Sequence, residues 1–122
     1  MAKVIIAGDR NWCDTELEAK LLLILSRLDK STIIVHGACR GVDYTADRVA
    51  KGLGFNVKSF PADWKKYGRA AGPIRNKEML DYIIESDGCI VVICHKDINN
   101  SKGSKNMMEQ AKERGVKVVL VE

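Results

Sequence analysis

The chain has 122 residues, 46% of them hydrophobic, with ten glycines, two prolines and a formal net charge of +4. That length and apolar content suit one domain with a continuous core, and the scarcity of proline and of polar low-complexity runs argues against a disordered tail or a long linker. The charge is too small for a dedicated nucleic-acid binder, and no apolar run approaches the roughly 18 residues of a membrane-spanning helix.

Lys3-Val4-Ile5-Ile6-Ala7 predicts a first strand over residues 3–7, rich in β-branched side chains. The start lacks the basic region, apolar stretch and small-residue cleavage site of a signal peptide, so the expected location is the cytoplasm. A turn, Gly8-Asp9-Arg10-Asn11-Trp12, leads to a helix that begins at Asp14 or Thr15. Thr15 with Glu18 three residues on makes a capping box, and the leucines of this helix run to Leu28. If apolar residues of the 21–28 stretch are exposed, they offer a homo-oligomeric contact.

A second strand over residues 32–35 runs into His36-Gly37-Ala38-Cys39-Arg40-Gly41-Val42-Asp43. The second helix opens near Asp43, a natural N-cap residue, buries Ala46, Val49, Ala50 and Leu53, and stops at Gly54. A third strand covers residues 56–60. Residues 62–72 show no clear element, and the third helix starts at Pro73, burying Ile74, Leu80 and Ile83 or Ile84. A fourth strand spans residues 88–93, a fourth helix follows Ser104 and ends at Gly115, and a fifth strand spans 116–121. The first two and last two strands read as buried on both faces.

Strands alternating with amphipathic helices predict an α/β fold: a single Rossmann-like domain over residues 1–122, with a mostly parallel five-stranded sheet flanked by about four helices. Right-handed crossovers gather the strand C-terminal ends and helix N-termini on one edge, where such folds bind ligands. The loops on that edge carry Gly8, Gly37, Gly41 and Gly103, which permit close backbone approach beside helix N-termini suited to phosphate. They also carry Arg10, Arg40, Arg69, Arg75, Lys65, Lys66, Lys102 and Lys105. Arginine's planar fork suits phosphate; Arg10 and Arg75 lean towards a binding role, whereas Lys65, Lys66 and Lys105 read as solvated charge. Asp43 is placed to cap a helix or to accept ribose hydroxyls. Trp64 and Tyr67 offer faces for a base or for packing, and His36 reads first as a hydrogen-bonded structural histidine, then as an acid or base.

Cys13, Cys39, Cys89 and Cys94 form no C-x-x-C pair and read as buried or half-buried free thiols, so no metal site is expected. Neither G-x-x-x-x-G-K-[ST] nor, after the first strand, G-x-G-x-x-G occurs, and no cofactor is expected.

Taken together, Ile6-Ala7-Gly8-Asp9-Arg10, His36-Gly37-x-x-Arg40-Gly41-x-Asp43 and the long segment from Ala62 through Trp64, Tyr67, Gly72 and Pro73 to Arg75-Asn76 resemble the YspA-like, cpYpsA-related branch of the SLOG superfamily. The resemblance implies a Rossmann-like sheet that binds nucleotides, nucleotide-sugars or ADP-ribose-like molecules. It places Gly8, Arg10, Gly37, Arg40, Gly41, Asp43, Arg75, Asn76, Gly103 and Ser104 on ligand-side motifs. The superfamily also includes phosphoribohydrolases, DNA-processing Smf proteins and defence sensors, and this branch is common in bacteria and their phages. Its phosphoribohydrolases carry a catalytic glutamate within G-G-x-G-T-x-x-E; here Ser104 takes the threonine's place and Met107 the glutamate's.

The expected function is therefore binding of a phosphate-bearing, nucleotide-derived small molecule as a sensing or sequestering module. The expected ligand residues are Gly8, Asp9, Arg10, His36, Gly37, Arg40, Gly41, Asp43, Trp64, Arg75, Asn76, Gly103 and Ser104. The alternative is cleavage of an N-glycosidic bond, with Asp43 or Asp9 as the catalytic carboxylate. Nucleic acid is a lesser alternative, and no membrane partner is expected.

Overall fold

A computed structural model describes residues 2–122. Five strands, β1 (Ala2–Gly8), β2 (Ile33–His36), β3 (Asn56–Ser59), β4 (Gly88–Cys94) and β5 (Lys117–Val121), form one sheet in the order β3-β2-β1-β4-β5. Every neighbouring pair is parallel. The helices are α1 (Thr15–Ser26), α2 (Val42–Gly52), the single turn α3 (Trp64–Tyr67), α4 (Ala71–Ile84) and α5 (Lys102–Glu113). This is the α/β, Rossmann-like architecture expected from the alternation of strand and helix patterns.

Because side chains alternate across a strand, the sheet divides the apolar residues into two layers. Val4, Ile6, Ile34 and Val92 pack with Leu17, Leu21 and Leu25 of α1 and Val42, Ala46 and Ala50 of α2. On the opposite face Ile5, Val35, Val91 and Ile93 pack with Met79, Leu80 and Ile83 of α4 and Met107 and Ala111 of α5. Leu17, Leu21 and Leu25 thus face the sheet, and what the 21–28 stretch exposes of large apolar surface is Leu22 and Leu23 alone, not a continuous stripe. Among the described residues no helix is long and apolar enough to cross a membrane.

Several local expectations are corrected. The N-cap of α1 is Asp14, whose carboxylate accepts the Leu17 N–H and the Trp12 indole N–H, both at 2.9 Å. Thr15 and Glu18 form no capping box; Glu18 pairs instead with Arg48 of α2. The segment without a predicted element holds α3, capped by Asp63, and a 3-10 turn over Gly68–Ala70, so α4 starts two residues before Pro73. Helix α5 begins before Ser104, with Ser101 as N-cap. Strand β5 is not buried on both faces: it is a sheet edge, and Val119 and Leu120 are exposed. Of the four cysteines, Cys94 is buried, Cys39 and Cys89 are half-buried, and Cys13 is exposed, against expectation.

Candidate functional site

The chain runs outward from β1 to β2 and β3, then crosses to the other side of β1 to form β4 and β5. Loops leaving β1 and β4 therefore part at their C-terminal ends, and the crevice at such a reversal is where open α/β sheets bind ligands. A cavity of about 300 Å³ occupies this position, at the small end of the range for small-molecule sites. Its walls come from residues 7–11 after β1, Cys39 and Asp43 after β2, His95 after β4, residues 100–104 at the start of α5, and Arg75, Asn76, Met79 and Met107.

Asp43 is the most constrained charge in this cleft. It does not cap α2: Gly41 is the N-cap and Asp43 lies in the first turn. The carboxylate instead turns back onto the preceding loop, where Oδ2 accepts the N–H groups of Gly37 (3.0 Å) and Cys39 (3.2 Å). Burial raises its pKa above the ordinary carboxylate value, opposed by the Cys39 N–H, His36, Arg75 and the Gly37 N–H. Its other oxygen has no protein partner, yet no buried side-chain oxygen among the described residues lacks one, so Oδ1 keeps contact with solvent, and Asp43 lines the cleft. One oxygen thus builds the wall while the other remains available.

Three of the loop amides expected to cradle phosphate are consumed internally. Those of Gly37 and Cys39 go to Asp43, and that of Ala38 goes to His36 Nδ1 at 3.0 Å. Gly37 and Gly41 serve packing: a Cβ at Gly37 would strike the Arg75 guanidinium, and one at Gly41 would strike the Asp9 and Arg10 backbone. Gly41 also has φ of +79°, a conformation that other residues rarely adopt. Gly8 likewise lies against the Cys94 carbonyl, whose oxygen accepts the Asp9 N–H.

Free amides lie at α5. Ser101 Oγ accepts the Ser104 N–H and its carbonyl the Lys105 N–H, leaving the N–H groups of Lys102 and Gly103 without partners. A Cβ at Gly103 would meet nothing within 4 Å. The positive end of a 12-residue helix dipole therefore opens on the cleft, beside the Lys102 side chain and the hydroxyl of Ser104.

Arg75 and Asn76 bind the walls together. Arg75 donates through Nη1 to the Gly37 carbonyl and through Nε to Asn76 Oδ1, and Asn76 Nδ2 donates to the Gly103 carbonyl and to Asn106 Oδ1. Gln110 extends this network to the Pro73 carbonyl. Arg10 is an exposed cation on the rim with no partner among the described residues, and Asp9 folds back through Oδ1 onto the Asn11 N–H at 2.8 Å. Asp9 Oδ2 lies 3.9 Å from Nε2 of His95, whose Nδ1 accepts the Asp97 N–H.

The cleft thus brings together Gly8, Asp9, Arg10, Asp43, Arg75, Asn76, Gly103 and Ser104. It does not include Trp64, His36, Gly37, Arg40 or Gly41. Trp64 is exposed and lies over Gly72; His36 is buried behind the loop; Arg40 reaches Asn11 Oδ1 at 3.2 Å. The cleft residues His95, Asn11, Asn100 and Ser101 were not singled out as ligand residues from the sequence. Their one sequence signal was position in loops following β1 and β4. The support from Asn106 and Gln110 had none beyond their spacing on one helix face.

Residues 2–67 match the family described as YspA, cpYpsA-related SLOG. The chain is 35% identical over 125 aligned residues to the Gene 61 protein of Mycobacterium phage D29, covering 98% of this chain and 95% of that one. Its fold is similar to that of DNA processing protein A (DprA) from Streptococcus pneumoniae, with a TM-score of 0.75 at 17% identity; the match covers all of this chain and half of the DprA chain.

Proposed function

The chain belongs to the YspA, cpYpsA-related SLOG family, and on that footing we propose that the cleft between β1 and β4 binds a phosphate-bearing nucleotide or nucleotide-derived molecule as a sensing or sequestering module. The observation that carries this reading is that the open N-terminus of α5 and Asp43 line one cavity: amides without partners among the described residues at Lys102 and Gly103, and a carboxylate with one oxygen unpartnered. Amides at a helix N-terminus suit phosphate oxygens, and a carboxylate oxygen accepts ribose hydroxyls. Arg10 and Lys102 add positive charge at the rim, while Met79 and Met107 give an apolar floor. Isothermal titration of the folded protein with ADP-ribose, AMP and cyclic mononucleotides tests this: binding by at least one is expected, and no heat from any of them refutes it.

A second reading rests mainly on Asp43. A carboxyl group with a raised pKa and one oxygen facing a cleft is suited to proton transfer, or to stabilising an oxocarbenium-like sugar as an N-glycosidic bond breaks. Met107, which is buried, stands where the superfamily's phosphoribohydrolases carry their catalytic glutamate, so catalysis would fall to Asp43, or to Asp9 on the same cleft. Chromatographic detection of free base from nucleoside monophosphates, abolished by Asp43→Asn, supports this reading; no release from any of them removes it.

A further inference from the structure

The loop over residues 37–41 places Cys39 in the lining of the cleft and holds two other lining residues, Asp43 and Arg75, and its geometry is imposed from behind. Ala38 has φ of +57°, the one positive φ among the described non-glycine residues. Such a conformation costs free energy and persists where its surroundings hold it. The hold on Ala38 itself is its N–H bond to Nδ1 of His36, an imidazole only 1% exposed. Since Nδ1 accepts, the ring proton sits on Nε2, which faces Asp47 Oδ1 at 2.8 Å; Asp47 Oδ2 in turn meets Lys51 at 3.1 Å. A line of contacts therefore runs from the exposed Lys51, through the half-buried Asp47 and the buried His36, to a loop whose Gly37 carbonyl holds Arg75 and whose Cys39 amide holds Asp43.

We propose that His36 is a proton-responsive latch: with Nδ1 unprotonated it fixes the 37–41 loop in the arrangement that shapes the cleft, and a second proton at Nδ1 releases that loop. In the imidazolium Nδ1 becomes a donor facing the Ala38 N–H, and the bond that holds the left-handed residue is replaced by a donor–donor clash. Charged and polar groups meet the ring from α2, from α4 and from the loop itself. Asp47 meets Nε2 and the Asp43 carboxylate interacts with the ring, both from α2; the Ala38 N–H sits at Nδ1, and Arg75 of α4 holds the Gly37 carbonyl next along the chain. Tyr44 presents a ring edge with centroids 6.5 Å apart, and on the β3 side the His36 carbonyl accepts the Phe60 N–H, a contact indifferent to the ring's charge. Closed loop and imidazolium therefore exclude each other. By linkage, any ligand that needs the closed loop loses up to about tenfold in affinity per pH unit as the medium becomes acidic through the imidazole titration.

The latch can be tested without a ligand, so its failure is separable from that of the nucleotide reading. In His36→Asn the side-chain oxygen takes the position of Nδ1 and accepts the Ala38 N–H without titrating; in His36→Gln the amide reaches Asp47 and leaves the Ala38 N–H unpaired. Nitrogen-15 spectra of the wild type should show the Nε2-H tautomer at neutral pH. Between pH 8 and 5 the Gly37, Ala38 and Cys39 amide signals should move together with the His36 ring. In His36→Asn the Ala38 signal should stay fixed, with its exchange protection kept, and the Gly37 and Cys39 signals should keep only the response of Asp43; in His36→Gln the Ala38 protection should fall at least about tenfold at every pH. Asp43 is retained in both variants, so its own titration cancels. The proposal is overturned by an Nδ1-H tautomer, by an Ala38 amide that ignores the ring's titration, by the same acid response of Ala38 in His36→Asn, or by a ring that does not titrate before the protein unfolds.

Discussion

Replacing Asp43 by alanine should cost far more stability than replacing it by asparagine, although only aspartate carries charge. In the native loop one oxygen satisfies two amides, those of Gly37 and Cys39, within a residue that is 5% exposed. Alanine leaves both donors without an acceptor where water has little access, at about 1–3 kcal/mol each, or about 2–6 kcal/mol in all. A protein of this size has about 5–15 kcal/mol of stability, so the midpoint of thermal unfolding should fall by roughly 8–24 °C at about 4 °C per kcal/mol. Asparagine can turn its carbonyl oxygen to the two amides and its NH2 to the cleft, and it removes the desolvation that opposes a buried charge. Its stability at neutral pH should therefore stay within about 1 kcal/mol of wild type. What asparagine changes is the group offered to a ligand: a donor replaces an acceptor, so affinity for a ribose-bearing nucleotide should fall at least about tenfold. Urea unfolding followed by circular dichroism, with titration of the same samples, measures both. Equal destabilisation by alanine and asparagine, or an alanine variant as stable as wild type, would refute the assignment of those amides to Asp43.

The same residue predicts a pH dependence. Its folded pKa is raised by burial, so the native state holds the proton more tightly than the unfolded chain, and this contribution to stability is present at low pH and lost as pH rises from the ordinary carboxylate value through the raised one. Asp43→Asn should lack that decline in urea unfolding free energies taken across mildly acidic pH; parallel profiles would count against it. Gly103→Ala should raise stability by about 0.5–1 kcal/mol, because its Cβ meets nothing and alanine favours the helix, while weakening inorganic phosphate binding several-fold by narrowing the approach to the α5 amides. Unchanged phosphate affinity would move the anion elsewhere. Gly41→Ala should behave oppositely, losing about 1–3 kcal/mol or more in thermal unfolding, since it adds a strained φ and a collision with the Asp9 and Arg10 backbone. Iodoacetamide should label Cys13 readily and Cys94 only on unfolding, because burial raises the Cys94 thiol pKa to about 12 and hides the sulfur; rapid native labelling of Cys94 would contradict the packing beneath Gly8.

What the sequence determined by itself was whatever is written in short-range pattern. Runs such as Lys3-Val4-Ile5-Ile6-Ala7 and Cys89-Ile90-Val91-Val92-Ile93 mark strands because buried parallel strands need β-branched side chains on both faces. Their alternation with amphipathic helices then leaves few topologies, and places the ligand edge at the loops after β1, β2 and β4. Asp9, Arg10, Asp43 and Gly103 were legible as edge residues on that ground, and Arg75 through its place in the 62–76 segment beside a helix start. Which job each one does was decided by tertiary structure, because a hydrogen-bond acceptor is used by whichever donor the fold brings nearest. Asp43 carries the local signature of a helix cap, yet two amides of the preceding loop claim its oxygen. The glycines at 37 and 41 carry the signature of a phosphate loop, yet Arg75, and the first turn, fill the space where a ligand would come. Asn76 and Asn106 lie 30 residues apart in the chain and meet only because α4 and α5 cover the same face of the sheet. The chain order dictated which edge carries the cleft; the folded contacts decided that amides at the start of α5 stay open to it and that Asp43 gives one oxygen to the preceding loop and keeps the other.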